Sequence, residues 1–159
     1  LLANGRVDDN FDLTIIGRQD MEPAYYQTCQ TMVKNSFLSE KVRFQGALSH
    51  KETMLQYHRH HLLVSAASME TYGMALQEAR SLGMPILVLQ GGYSARHIRQ
   101  GNGILCEDIF ELTRNFLQLS RSKAALRACL DTARIHYQEA TYRWEEAAAI
   151  FLRQIRNFL

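Results

Sequence analysis

The feature that most constrains this chain is an alternation. Five short strand runs, Leu13 to Ile16, Lys41 to Phe44, Leu62 to Val64, Ile86 to Leu89 and Ile104 to Leu105, are separated by stretches of helical periodicity or by glycine-rich turns. The runs are short and mostly apolar on both faces, as strands buried under helices are. Strand and helix in turn predict a parallel sheet with right-handed crossovers, covered by helices on both sides. At 159 residues the chain is one domain by length, large enough to bury a core. The expected fold class is α/β: a Rossmann-like parallel sheet with helices on both faces, followed by C-terminal helices.

The helices carry their own signals. Glu22 to Asn35 opens with Pro23, which suits a first turn, and places Tyr26, Cys29, Met32 and Val33 on one apolar face. Ser49 predicts a cap for a helix running to about His58, with Glu52 as its capping-box partner. Asp108 to Leu119 and Ser122 to about Tyr137 follow, then a last helix from about Tyr142 to Phe158. That helix is apolar at Trp144, Ala148, Phe151, Leu152, Ile155 and Leu159, a stripe for core or interdomain packing. Leu1 to Asn4 reads as the tail of a helix, and Asp8 to Asn10 as a polar turn. The chain opens on Leu1 rather than Met, so a fragment of a longer protein is expected.

The stretch Leu62 to Met84 holds the chemistry. After the strand comes a small-residue loop, then Glu70, Gly73, and a helix with Ala75, Leu76, Ala79 and Leu82 inward. Gly83 ends it and Pro85 prevents it resuming. Strand, loop and helix with glycine at the joint offer free N–H groups to an anion. A pyrophosphate on the amides of Gly73, Met74 and Ala75 would meet the positive end of the helix dipole. Glu78 lies four residues after Met74, about 6 Å along the axis, and helical side chains lean back toward the N-terminus. Its carboxylate can therefore accept hydrogen bonds from a ribose diol, while Glu70 meets the group beyond the pyrophosphate. The plainer reading is a surface loop acid and a solvated helix residue. Arg18, beside Gly17 at a strand end, can face a phosphate or be a solvated loop residue. Gly91 and Gly92 admit a ligand's close approach or make a tight turn.

The segment Glu70-Thr71-Tyr72-Gly73-Met74-Ala75-Leu76-Gln77-Glu78-Ala79 resembles the E-x-F/Y-G-x-x-x-x-E-A element of the retaining glycosyltransferases of family four. Leu13-Thr14-Ile15-Ile16-Gly17 is similar to that family's L-x-I-x-G, Val42-Arg43-Phe44-Gln45-Gly46 to V-x-F-x-G, and Gly83-Met84-Pro85-Ile86 to G-x-P-V. Gly91-Gly92, Asn102-Gly103-Ile104-Leu105 and Trp144-Glu145 resemble its paired glycines, N-G-x-L and W-E. Seven elements in order span nearly the whole chain. Ala95 stands where the family commonly has an acid, and Ala66 and Ala67 where it often has P-S, which puts donor-sugar contacts in question.

The resemblance implies that residues 1–159 are the nucleotide-sugar-binding, C-terminal half of a GT-B enzyme. The acceptor domain, and the Arg and Lys that clamp the pyrophosphate, would then precede Leu1. In the full-length enzyme a hexosyl group would pass from a nucleotide-diphosphate sugar to an acceptor with retained configuration, whereas this chain alone would be inactive. Glu70 would be the catalytic residue, orienting the donor sugar and helping to stabilise its anomeric centre. Glu78, Thr71, Tyr72, Gly73, Met74, Ala75, Gly17 and Arg18 would bind the donor, with Gly46, Ala47 and Leu48 against the base. The resemblance also implies no cofactor and no metal, the donor being a substrate. It implies a bacterial, cytoplasmic protein, with any peripheral membrane association at the inner face set by the other half.

Other classes fare less well. A net charge of +2 and no basic block longer than two residues give no nucleic-acid footprint. Apolar runs fall far short of a membrane span, and no signal peptide is visible. Three cysteines, Cys29, Cys106 and Cys129, lack metal or redox spacing. The run His58-Arg59-His60-His61 has no nearby acid to complete a metal site and suits a helix C-terminus. Gly17-Arg18-Gln19 is not the fingerprint of a nicotinamide-dependent oxidoreductase. The alternatives that stay open are a catalytically inactive nucleotide-binding or interaction module and a GT-B sugar-nucleotide epimerase.

Overall fold

A computed structural model describes residues 11–98, 101–136 and 144–156. The expected helix tail at residues 1–4, the turn at 8–10 and the starts and ends of the last helix lie outside them. Among the described residues there are five strands: β1 (Leu13–Ile16), β2 (Val42–Gly46), β3 (Leu63–Ser65), β4 (Ile86–Leu89) and β5 (Gly103–Cys106). The helices are α1 (Pro23–Lys34), α2 (His50–Arg59), α3 (Met74–Ser81), α4 (Ile109–Arg121), α5 (Lys123–His136) and α6 (Trp144–Arg156). A short 3-10 helix, Ser94–His97, follows the paired glycines and was not foreseen from the sequence.

Every strand pairing is parallel, but the ladder falls into two blocks, β1-β2 and β3-β4-β5. One continuous sheet was expected. Between β1 and β3 lies a cavity of about 860 Å³, lined among others by Thr14, Ile16, Val64, Phe116 and Leu119. The Leu13 amide donates to the Lys41 carbonyl, and that of Leu63 to the Pro85 carbonyl. Neighbouring residues in a parallel strand alternate sides, so the amides of Thr14 and Val64 turn to the opposite edges. What spans the gap is a side chain. His60 donates from Nδ1 to the Gln56 carbonyl (2.7 Å), and its Nε2 accepts from the Thr14 hydroxyl (3.0 Å).

The core sits around β4, whose alternation serves two helix layers. Ile86 and Val88 pack with Leu76, Ala79 and Met84 on the α3 side. Leu87 packs with Cys106 and Leu112 on the α4 side. Ile86, Leu87 and Val88 are at most 1% exposed, and full burial of such side chains contributes roughly 1.5–3 kcal/mol each. Helix α3 ends in a Schellman turn: Gly83 has φ 67°, the Gly83 amide donates to the Arg80 carbonyl, and that of Met84 to the Ala79 carbonyl. At the other end of the chain's first half, Ser49 and Glu52 form the expected reciprocal box on α2. Asp108 caps α4 by accepting from the Glu111 amide, 2.7 Å. The Ser122 hydroxyl accepts from the Ala125 amide at the start of α5.

Some expected inward faces are not buried. On α1, Tyr26 meets Phe44 of β2 edge-on, but Met32 is 66% exposed and α1 has no buried residue. A single pair of strands with no described layer above α1 cannot bury a whole helical stripe. On α3, Leu76 and Ala79 are buried, Leu82 is half-buried and Ala75 is exposed. On α6, Phe151, Leu152 and Ile155 are exposed, so this stripe is not core of this chain.

Candidate functional site

The site is assembled where the strand ends meet α3. Gly73, at φ 81°, turns the loop into the helix, and no side chain caps that N-terminus. Met74 and Ala75 are exposed while Gly73 is buried. The first turn is thus uncapped by any side chain and exposed at Met74 and Ala75, at the positive end of the helix dipole, where an anion is favoured. A side chain at Gly73 would strike the His97 imidazole and Leu76.

The loop bearing Glu70 is fixed from behind. The Tyr93 amide donates to the Glu70 carbonyl, 2.6 Å. A Cβ at Gly91 would overlap the Ser68 carbonyl, and one at Gly92 that of Glu70. The paired glycines therefore admit this loop, rather than a ligand, to close approach. Ser94, 2% exposed, accepts from the Gly91 amide and donates to the Leu89 carbonyl, locking the turn after β4. His97, also 2% exposed, meets the Tyr72 carbonyl through Nε2. A carbonyl only accepts, so Nε2 carries the proton and Nδ1 faces the Arg80 guanidinium at 3.4 Å. Asn102 donates to the His97 carbonyl, 3.0 Å. With its backbone held, the half-buried Glu70 makes no side-chain hydrogen bond or ion pair among the described residues. Tyr72 stacks on Tyr93 (5.9 Å, 21°), both outward, and Arg96 lies over Tyr93. Thr71 is exposed beside them.

Glu78 is held from α2. Its Oε2 accepts from the Tyr57 hydroxyl at 3.2 Å, and its Oε1 lies 3.5 Å from His50 Nδ1. Burial, then the charge of Glu78 and the hydrogen bond to it, raise the Tyr57 phenol far above its ordinary range. Because His50 opens α2, the Glu78 contact also brings the Gly46–Leu48 loop beside α3. Gly17 joins that loop by donating its amide to the Gly46 carbonyl, 3.0 Å. Ala47 is exposed and Leu48 half-buried. Arg18 stands apart: its guanidinium forks onto Asp20 at 3.0 and 2.8 Å. The pair raises the Arg18 pKa and lowers that of Asp20.

Tyr57, His50, His97 and Ser94 were missed by sequence reasoning. His50 and Tyr57 are seven apart on one helical face, a detectable spacing, but nothing in the sequence pairs that face with Glu78. Among the described residues no three His, Cys, Asp or Glu side chains are grouped to hold a metal. None of their helices is long and apolar enough to cross a membrane.

A parallel α/β fold, an uncapped glycine-led helix and two glutamates on its approach and first turns define a class, and sequence comparison agrees with it. The profile of the glycosyl transferases group 1 family matches residues 2–131. The chain belongs to that family. No match was found among curated protein sequences. Among solved structures, sucrose-phosphate synthase from Thermosynechococcus elongatus superposes with a TM-score of 0.73 at 21% identity, over 92% of this chain and 38% of that one. Anabaena Alr3699/HepE in complex with UDP gives a TM-score of 0.68 at 17% identity, over 82% and 36%. A glycosyltransferase from Rickettsia africae gives 0.66 at 15%, over 82% and 35%. The likeness is one of fold: a Rossmann-like half of a GT-B architecture, spanning little more than a third of each relative.

Proposed function

We propose that this chain is the donor-binding half of a retaining glycosyltransferase, taking a nucleotide-diphosphate sugar. The observation that carries the reading is the α3 N-terminus: a helix start without a side-chain cap, exposed at Met74 and Ala75, with Glu70 in the loop before it and Glu78 in the helix after it. The diphosphate lies on the amides of Gly73, Met74 and Ala75. Glu78 accepts from the ribose hydroxyls, and the Gly46–Leu48 loop meets the base. As the glycosidic bond breaks, negative charge builds on the leaving diphosphate, and the helix-end amides stabilise it there. Glu70, with its backbone pinned and its carboxylate unengaged among the described residues, orients the sugar and stabilises the oxocarbenium-like anomeric centre. Acceptor binding and the basic clamp on the diphosphate belong to the remainder of a longer protein, and so does turnover. That HepE is seen with UDP and with UDP-glucose supports the choice of nucleotide diphosphates as probes.

Calorimetry and thermal shift against UDP, GDP, ADP and their sugar conjugates test this, with Glu78→Gln beside the parent chain. Binding selective for one base and weakened in the variant is expected. A folded chain that binds none of them, in the longest form that can be expressed, favours the inactive interaction module instead.

A further inference from the structure

We infer that Tyr57 is a positioning residue: its hydroxyl sets the Glu78 carboxylate in the pose that meets the ribose hydroxyls. This rests on the ribose role proposed for Glu78. Helix α2 contributes nothing to the expected donor-binding set, yet two of its residues, two turns apart, converge on one carboxylate of α3. The Tyr57 ring packs against the cluster of Leu76, Ala79, Met84, Ile86 and Val88. Its hydroxyl is therefore placed by the core, not by a mobile surface chain.

That hydroxyl has one proton and two acceptors in reach, Glu78 Oε2 at 3.2 Å and the Ala75 carbonyl at 3.3 Å. The charged acceptor forms the stronger bond. The second contact keeps the hydroxyl against the turn that carries the proposed anion cradle. His50 is the lesser partner: its side chain is 75% exposed against 27% for Glu78, and 3.5 Å is long for a hydrogen bond.

A carboxylate offers about four lone-pair directions. Tyr57 uses one on Oε2, and His50 approaches Oε1, which leaves acceptor capacity on both oxygens for a vicinal diol. An unheld glutamate on a helix surface would have to give up its rotamer freedom when the ligand arrives. Here that ordering is already done.

The test uses the longest form of the protein that can be expressed, with UDP and 2′,3′-dideoxy-UDP as probes for wild type, Tyr57→Phe and Glu78→Gln. Tyr57→Phe keeps the ring in the core, and its thermal unfolding is checked first. It is expected to weaken UDP binding about fivefold, the effect of one hydrogen bond, and to leave dideoxy-UDP unchanged. An equal loss on both probes overturns the inference, because a merely structural role would not discriminate ribose hydroxyls; so does no loss on UDP. If Glu78→Gln removes the discrimination and Tyr57→Phe keeps it in full, the positioning role falls while the ribose reading stands. If Glu78→Gln binds UDP like wild type, or wild type does not bind UDP, both fall together.

Discussion

The two blocks of the ladder are built to different standards. In the β3-β4-β5 block, Leu76, Ala79, Ile86, Leu87, Val88 and Cys106 are at most 1% exposed. In the β1-β2 block, Val42 at 8% is the one buried strand residue, α1 buries none, and Met21, Tyr25, Met32 and Phe37 are each at least 65% exposed. The proposed diphosphate cradle stands on the firm block, and the proposed base loop on the looser one. Charge stabilisation needs donors that are already in place. A flat base can be met by backbone that adjusts. The contrast teaches that the same α/β repeat can be tight where chemistry needs a fixed dipole and slack elsewhere.

The sharpest way to break the comparison is to cut the same amount from each block. Leu76→Ala should cost about 2–5 kcal/mol in urea unfolding, as buried leucines do, while Met32→Ala should stay within about 0.5 kcal/mol. Similar losses would mean that the blocks are equally packed in solution. Next in size is the loop behind Glu70. Gly92→Ala, at φ 55° and facing the Glu70 carbonyl, should lower thermal stability and weaken nucleotide binding together. A variant that melts early but binds normally would detach the paired glycines from the site.

On α2, which joins the two blocks, Ser49→Ala should cost about 1 kcal/mol through loss of the helix cap. Hydrogen bonds from Ser49 hold the Glu52 carboxyl below its ordinary value. A depressed folded-state value gives stability present above the unfolded pKa and lost as pH falls through the folded one. The gap between wild type and Ser49→Ala should therefore narrow under acid, which paired denaturant melts would read. Smallest of all, Arg18→Gln should leave the melting temperature unchanged, since the Asp20 pair is open to solvent. A fall in nucleotide affinity in that variant, with melting unchanged, would show Arg18 leaving Asp20 for the phosphate.

Much of the fold was legible because it is written in local signals. Ser49 and Glu52 specify a box through a spacing of three, and Gly83 before Pro85 specifies a helix end. What failed was anything depending on which faces meet. Met32 and Phe151 carry helical periodicity, but periodicity cannot say whether a layer exists to cover them. Glu70 and Glu78 were readable as a pair on one loop and helix. Their supports were not, because Tyr57, His50, His97 and Tyr93 reach that loop and helix from 21 to 28 residues away in sequence, from α2 and from the 3-10 turn after β4. The glycine pair was legible as close approach, but the partner turned out to be the protein's own loop.

The His60 bridge to Thr14 has a bearing on how the molecule behaves in a crowd. A strand edge with unspent amides is a template on which any extended chain can add itself. Here two such edges look at one another across a gap, and an imidazole plugs part of it. By engaging the Thr14 hydroxyl and lining the gap, His60 puts a side chain where a stranger's strand would have to lie.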